Sequence, residues 1–294
     1  GVPILAHSPI GQDNARVIQE RLPALAPRLL APLPATRVVR SGKTLTWRPF
    51  RSAHPIDDGP WIAQTLQRAQ QAQDAGVPLL LTGIGDGARM VAALEQSTVD
   101  VVVWEADHGL WHDVLDRIPL RPWLESGRLK LLLGPDRLHA PALGEAVEDV
   151  HPDLARYLGW TRTLCDAHRP VLLAMAGELF VDDTGAAFES HGWRRYLWDR
   201  AHLPAIENAH ILRTCGAALL WRINTAADVC EDASEAGIPA AIWEIDPTLD
   251  GPARLRQPLP TSTVFTYRKA NVSAHVQAGY GKSHYLPLAT APGH

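Results

Sequence analysis

The chain has 294 residues, 46 % of them hydrophobic, so it can bury a sizeable core, and its length predicts two domains. Its 28 basic residues stand against 32 acidic ones, for a net charge of −4 at pH 7. With no basic block, an electrostatic nucleic-acid binder is excluded. No apolar run approaches the roughly 20 residues that cross a bilayer, and no signal peptide is recognisable. A cytoplasmic location without a membrane span is therefore expected.

In chain order, residues 14–25 read as a short helix interrupted by prolines. Thr36–Arg40 and Lys43–Arg48 alternate around Ser41-Gly42, the pattern of a β-hairpin. Residues 61–75 place Ile62, Leu66 and Ala69 on one helical face, and Gly76 stops the helix. The apolar run Leu79-Leu80-Leu81-Thr82 then enters Gly83-Ile84-Gly85-Asp86-Gly87, and an amphipathic helix leaves that loop. A second apolar run, Val99 to Trp104, ends in Glu105, with Asp107 close behind. This is the first βαβ unit of a Rossmann-like sheet. Residues 108–117 continue as a helix, and Leu129 to Asp136 form a third strand ending in a turn. A helical stretch from about 139 to 168 holds the domain boundary.

The second half restarts with a buried-type strand, Arg169 to Ala176. Asp182-Asp183 reads as a solvated turn, and residues 192–201 and 206–215 as helices. The strand Ala217 to Asn224 follows, then a helix over 225–236 with Thr225 as its N-cap and Gly237 as its stop. Strands at 238–247, 263–267 and 283–288, with a helix at 270–278, complete a second doubly wound unit. The expected class is α/β: two Rossmann-like doubly wound domains, over residues 2–150 and 165–294, with a small amino-terminal β-hairpin region.

Gly83, Gly85 and Gly87 are candidates for close backbone approach to a ligand, with the helix start behind them offering free N–H groups. Glu105 and Asp107 suit ribose hydroxyls, and Arg89 either meets a phosphate or lies on the helix surface. The spacing is Gly-x-Gly-x-Gly, which departs from the dinucleotide Gly-x-Gly-x-x-Gly. It resembles motif I of S-adenosylmethionine-dependent methyltransferases, whose second strand also ends in an acid. A tight turn with no ligand explains the same glycines.

His108 and His112 share a helical face at i, i+4, but no carboxylate follows in a metal-site pattern, and no metal is expected. Cys165, Cys215 and Cys230 lack a Cys-x-x-Cys spacing and read as reduced thiols. Among the ten Trp residues, Trp104, Trp221 and Trp243 lie in apolar strand runs, while Trp47, Trp61, Trp111 and Trp193 are candidates for the surface. Gly279-Tyr280-Gly281-Lys282-Ser283 lacks the spacer and following helix of a phosphate loop.

The segment from Glu235 through Trp243-Glu244-Ile245-Asp246-Pro247, then Thr263-Val264-Phe265-Thr266-Tyr267 and Gly279 to Ala289, resembles the amino-terminal half of bacterial CgeB-type (spore maturation protein) glycosyltransferases of the two-domain GT-B fold. That resemblance covers residues 170–294. The glycine loop with Val102 to Asp107 and Leu131 to Gly134 is similar to the Rossmann-like region of motility accessory factor proteins, which are linked to sugar transfer onto flagellin. Together they imply the acceptor-side portion of a sugar-transfer enzyme acting on a small-molecule, glycan or protein acceptor, lacking the donor-binding domain. The implied cofactor is a nucleotide sugar; for the methyltransferase alternative it is S-adenosylmethionine. A non-catalytic Rossmann-like scaffold is the third possibility.

Sugar transfer with inversion needs a general base near the cleft. Asp246 and Glu244 end one predicted strand, where open α/β sheets place ligands, and Glu178 follows another. Asp246 and Glu178 are the candidate catalytic residues. A methyltransferase would carry an Asn/Asp-Pro-Pro-Tyr/Phe motif after its fourth strand, and the sequence has none.

Overall fold

The computed structural model describes residues 8–48, 53–140, 143, 145–154, 167–224, 226–246 and 252–287. Thr225, Cys165, Pro247 and the chain from Leu288 onward lie outside them. The chain divides into two compact units, residues 1–167 with 200–211, and residues 168–199 with 212–294. The short stretch 200–211 thus belongs with the first unit. Both units are α/β, with parallel sheets flanked by helices, and a small antiparallel sheet stands near the amino terminus.

The first unit opens with α1, Pro9–Arg21. It starts earlier than residue 14 because Ser8 caps it, Oγ accepting the Gly11 N–H at 2.9 Å, and Pro9 fits the first turn. A one-turn helix, α2 (Ala26–Leu29), follows. The hairpin strands β1 (Val38–Ser41) and β2 (Thr44–Trp47) gain a third antiparallel strand, β3 (His54–Ile56). Helix α3 (Ile62–Ala75) ends at Gly76, whose φ of 66° is left-handed. Then come β4 (Leu79–Thr82), α4 (Ala88–Gln96), β5 (Val101–Glu105), α5 (His108–Arg117), α6 (Arg121–Glu125), β6 (Leu129–Leu133) and β7 (Val147–Val150). The four sheet strands are all parallel in the order β6-β5-β4-β7. Every residue of β4 and β5 is buried, which accounts for their unbroken apolar runs. Strand order reverses between β4 and β7, so their carboxyl ends flank the crevice where such sheets bind ligands.

Strand β7 replaces part of the helix expected over 139–168. Its Val-Glu-Asp-Val sequence looks polar, yet Asp149 is buried and its oxygens accept from Gln64 Nε2 (2.8 Å), Thr65 Oγ1 (2.5 Å) and Arg89 Nη2 (2.7 Å). Glu148 accepts from Thr82 Oγ1 at 2.6 Å. Partners on other elements let a charged sequence form this edge strand with its carboxylates satisfied.

The second unit comprises β8 (Val171–Met175), α7 (Val181–Ser190), β9 (Arg194–Trp198), β10 (Ala217–Ile223), α9 (Ala227–Glu235), β11 (Ala240–Glu244), β12 (Leu259–Thr266), α10 (Asn271–Gln277) and β13 (Tyr280–Tyr285). Helix α8 (Ala205–Thr214) precedes β10 in sequence. The sheet is six-stranded and parallel in the order β13-β12-β11-β10-β8-β9, reversing between β8 and β10. Two expectations are corrected here. Asp182-Asp183 lies in the first turn of α7, where acids complement the helix dipole. Residues 194–198, expected to be helical, form edge strand β9. Arg194 donates to the Arg169 carbonyl at 2.9 Å and Arg195 to the Val181 carbonyl at 3.2 Å, so both arginines are buried along their stems beside Tyr196 and Trp198.

Two tryptophans expected near the surface are core residues: Trp111 is fully buried, and Trp47 is nearly so while donating to Asp107. Among the described residues no helix is long and apolar enough to cross a membrane.

Candidate functional site

The glycine loop lies where its sequence placed it, between β4 and α4, and all three glycines need positive φ: 89° at Gly83, 61° at Gly85 and 89° at Gly87. The loop is filled by the protein itself. Asp58, fully buried, accepts the Asp86 N–H on Oδ1 at 3.2 Å and the Arg89 N–H on Oδ2 at 3.1 Å. Asp86 Oδ1 takes the Ala88 N–H at 3.0 Å. The Gly87 N–H is directed to the Ile84 carbonyl. The amides at the start of α4 that would cradle a phosphate are therefore satisfied by side chains and backbone of this chain.

His151, just after β7, closes the crevice from the other side. Its Nε2 lies 2.7 Å from Asp58 Oδ1, and its Nδ1 accepts the Asp153 N–H at 3.2 Å, which puts the proton on Nε2. A Cβ on Gly85 would overlap Asp58 Oδ1 and come within 2.6 Å of His151 Nε2. The glycine is needed so that these two side chains can meet. Burial pushes the Asp58 carboxyl up, but the His151 and Arg89 contacts outweigh it and hold Asp58 below the ordinary carboxylate value. Arg89 is neither on the helix surface nor free for a phosphate; it is buried against Asp149, Thr65 and the Gly83 carbonyl.

Glu105 and Asp107 also turn inward. Glu105 is 2 % exposed, with Oε2 accepting the Ile84 N–H at 3.1 Å and Oε1 the Asp107 N–H at 2.8 Å. Burial first, then the Asp107 charge, pushes its carboxyl up to about 8. Asp107 caps α5 through the Gly109 N–H at 2.7 Å and accepts from Trp47 Nε1 at 2.6 Å. Two open hollows lie on the hairpin side of this unit. One of about 620 Å³ is lined by Thr36, Val38, Arg40, His112 and Asp113, and another of about 600 Å³ reaches Asp86 and Ala88 from the hairpin side.

His112 Nε2 lies 2.9 Å from the Leu29 carbonyl oxygen, and burial holds its imidazole down at about 4. His108 is buried with its imidazole lowered to about 3, burial being the largest cause. Among the described residues no group of three or more His, Cys, Asp or Glu is placed to hold a metal ion. Cys215 and Cys230 are buried thiols whose ionisation burial suppresses, Cys230 rising to about 11.

The reversal point of the second sheet is different. Gly177, with φ 85°, turns the chain off β8 and delivers Glu178 across to β10. Glu178 Oε2 accepts the Ile223 N–H at 2.7 Å, and Arg222 Nε lies 2.9 Å from Oε1. Burial pushes the Glu178 carboxyl up to about 7 against the opposing pull of Arg222 and the Ile223 amide. The residue just after β10, Asn224, sits at a left-handed φ of 64°. Its Nδ2 donates to Asp246 Oδ2 at 2.8 Å, while its Oδ1 accepts the N–H groups of Ile245 (3.0 Å) and Asp246 (3.1 Å). The end of β10 thus ties the two strand-end acids, Glu178 and Asp246, into one rim. Asp246 is exposed and Glu178 half-buried. Asn224 is the element of this rim that strand-end acids alone do not reveal.

Glu244, which shares its strand with Trp243, is committed inward. It accepts from Thr266 Oγ1 and from Asn271 Nδ2 at 3.2 Å, with His275 Nε2 also 3.2 Å away. Burial raises its carboxyl, but these hydrogen bonds prevail and leave it below the ordinary value. Comparison with protein-family models, with curated proteins and with solved structures finds no match for the chain.

Proposed function

We propose that the chain is a glycosyltransferase-related protein whose second unit forms the acceptor side of a sugar-transfer reaction in protein or cell-surface glycosylation. The observation that carries this reading is Glu178: a carboxyl at the reversal point of an open parallel sheet, pushed up to about 7 by burial and held against the end of β10 by Ile223 and Arg222. A base poised near the working pH is what deprotonating a sugar hydroxyl demands. In an inverting transfer the acceptor oxygen bonds to the anomeric carbon as the bond to the leaving phosphate oxygen breaks. Glu178 receives the hydroxyl proton. Its two oxygens already accept from Ile223 and face Arg222, which fixes their orientation and leaves lone pairs for the substrate. Asp246, held by Asn224, hydrogen-bonds acceptor hydroxyls at the exposed rim.

The first unit serves as a non-catalytic Rossmann-like scaffold in this account. Asp58 supports that role, because it stands where a nucleotide phosphate or the carboxylate of S-adenosylmethionine would meet the helix. The methyltransferase alternative needs this crevice open. Calorimetric titration with S-adenosylmethionine, a panel of nucleotide sugars and methyl glycopyranosides separates the readings. Saturable glycoside binding, weakened by Asp246→Ala, is expected, with no heat from S-adenosylmethionine. Micromolar S-adenosylmethionine binding that Gly85→Val abolishes would overturn the proposal.

A further inference from the structure

Between Glu178 and helix α7 the chain presents two large apolar side chains to solvent, Leu179 at 47 % and Phe180 at 53 % exposure. Phe180 does so from a left-handed backbone, φ 56°, a conformation disfavoured for an aromatic residue. Folding into the core does not explain that backbone, since the ring stays half in water. What the conformation achieves is placement: the Phe180 ring stands 6.4 Å from Trp243, tilted by 47°. Trp243 lies on β11 immediately before Glu244, three residues from Asp246. An exposed Phe180 ring backed by the half-buried Trp243 therefore adjoins the rim that carries Glu178 and Asp246. Strained residues and solvent-facing aromatics beside an ionisable carboxyl are hallmarks of a ligand clamp.

We infer that Phe180, backed by Trp243, is the stacking platform for the acceptor, and that the acceptor is a pyranoside whose C–H face lies on the Phe180 ring. This rests on the sugar-transfer reading of the same rim. The chemistry selects this class. One face of a pyranose is a patch of C–H groups suited to an aromatic ring, and its hydroxyls need acceptors at the edge, which Asp246 and Glu178 supply. A flat apolar ligand would use the rings but not the carboxylates. An anionic ligand would be repelled by the exposed Asp246.

The test compares wild type with Phe180→Gly and Phe180→Asn. Both replacements accept a left-handed φ, so each removes the ring without demanding a new backbone, and their unfolding midpoints should equal or exceed that of wild type. Saturation-transfer NMR is recorded with methyl glycopyranosides and with N-acetyltryptophanamide. The expected result is glycoside binding by wild type that weakens at least tenfold in both variants. Glycoside binding that both variants retain would overturn the platform while leaving the sugar-transfer reading intact. No glycoside binding by any form would overturn both. Binding of the indole amide in preference to glycosides would mark a peptide side-chain site and overturn the assignment of the acceptor.

Discussion

Replacing Asp58 by Ala removes the acceptor around which the first unit's crevice is assembled. Three donors lose their partner at once: the N–H groups of Asp86 and Arg89 and the Nε2–H of His151, all buried or partly buried. Deleting an acidic or polar helix cap costs about 0.5–2 kcal/mol, and each buried donor left unsatisfied costs about 1–3 kcal/mol. The contributions overlap, so a loss of about 4 kcal/mol is expected, a large share of the roughly 5–15 kcal/mol typical of whole domains. Urea unfolding at pH 7 measures it. Asp58→Asn keeps one acceptor oxygen and should lose about half as much. Because the folded carboxyl sits below its ordinary value, its stabilisation is present above the unfolded pKa of about 3.9 and disappears as pH falls through the folded value. The Ala variant should therefore lack that acid-dependent loss. Vacating the amides at the start of α4 should also let inorganic phosphate stabilise the variant and not wild type. A loss below about 1 kcal/mol, the scale of a single ordinary hydrogen bond, with no response to phosphate, would refute the argument.

Three further outcomes follow from buried groups of the first unit. Gly85→Ala should destabilise by at least as much as Asp58→Ala, because the methyl overlaps Asp58 and His151 and the backbone is left-handed; a thermal shift within a degree of wild type would refute this. Glu105 has a folded value raised to about 8, so the fold favours its protonated form, and ionisation destabilises progressively from the unfolded pKa of about 4.3 up to pH 8. Glu105→Gln should gain stability relative to wild type across that window, and a pH-independent difference between the two would contradict the assignment. His108, lowered to about 3, is neutral in the fold, so stability is full above the unfolded pKa of about 6.5 and is lost as pH falls toward 3. Neither of its ring nitrogens has a hydrogen-bond partner among the described residues. His108→Leu should therefore be no less stable at pH 7.5 and should show a flatter acid limb in pH-dependent urea unfolding; a clear loss at pH 7.5 would sink the idea.

The strands most legible in the sequence are those buried along almost their whole length, β4, β5, β8 and β11, because a doubly covered parallel strand writes itself as an apolar run. Of the strands that escaped, β7 and β9 carry Glu148-Asp149 and Arg194-Arg195, charges neutralised or shielded by partners that no local window contains. The candidate site divides the same way. Glu178 and Asp246 were visible as acids at strand ends, and the open sheet puts both at its carboxyl edge. Asn224, which links them, was visible only as the last residue of a strand. The glycine loop was legible as a turn but not as a closed one. Asp58 and His151 are 93 residues apart and lie in unremarkable stretches, so only the folded chain brings them to Gly85. Trp47 and Trp111 went inward for a similar reason: the Asp107 cap gives Trp47 a partner, and the Glu105 carbonyl gives Trp111 one at 3.3 Å.

The most direct test of the central claim is a carboxyl-carbon NMR titration of Glu178, assigned by its disappearance in Glu178→Gln and recorded with and without a methyl glycopyranoside. The account predicts a midpoint near 7 in the free protein and a displaced midpoint when the glycoside is present. A midpoint at the ordinary glutamate value, unmoved by any glycoside, would contradict it.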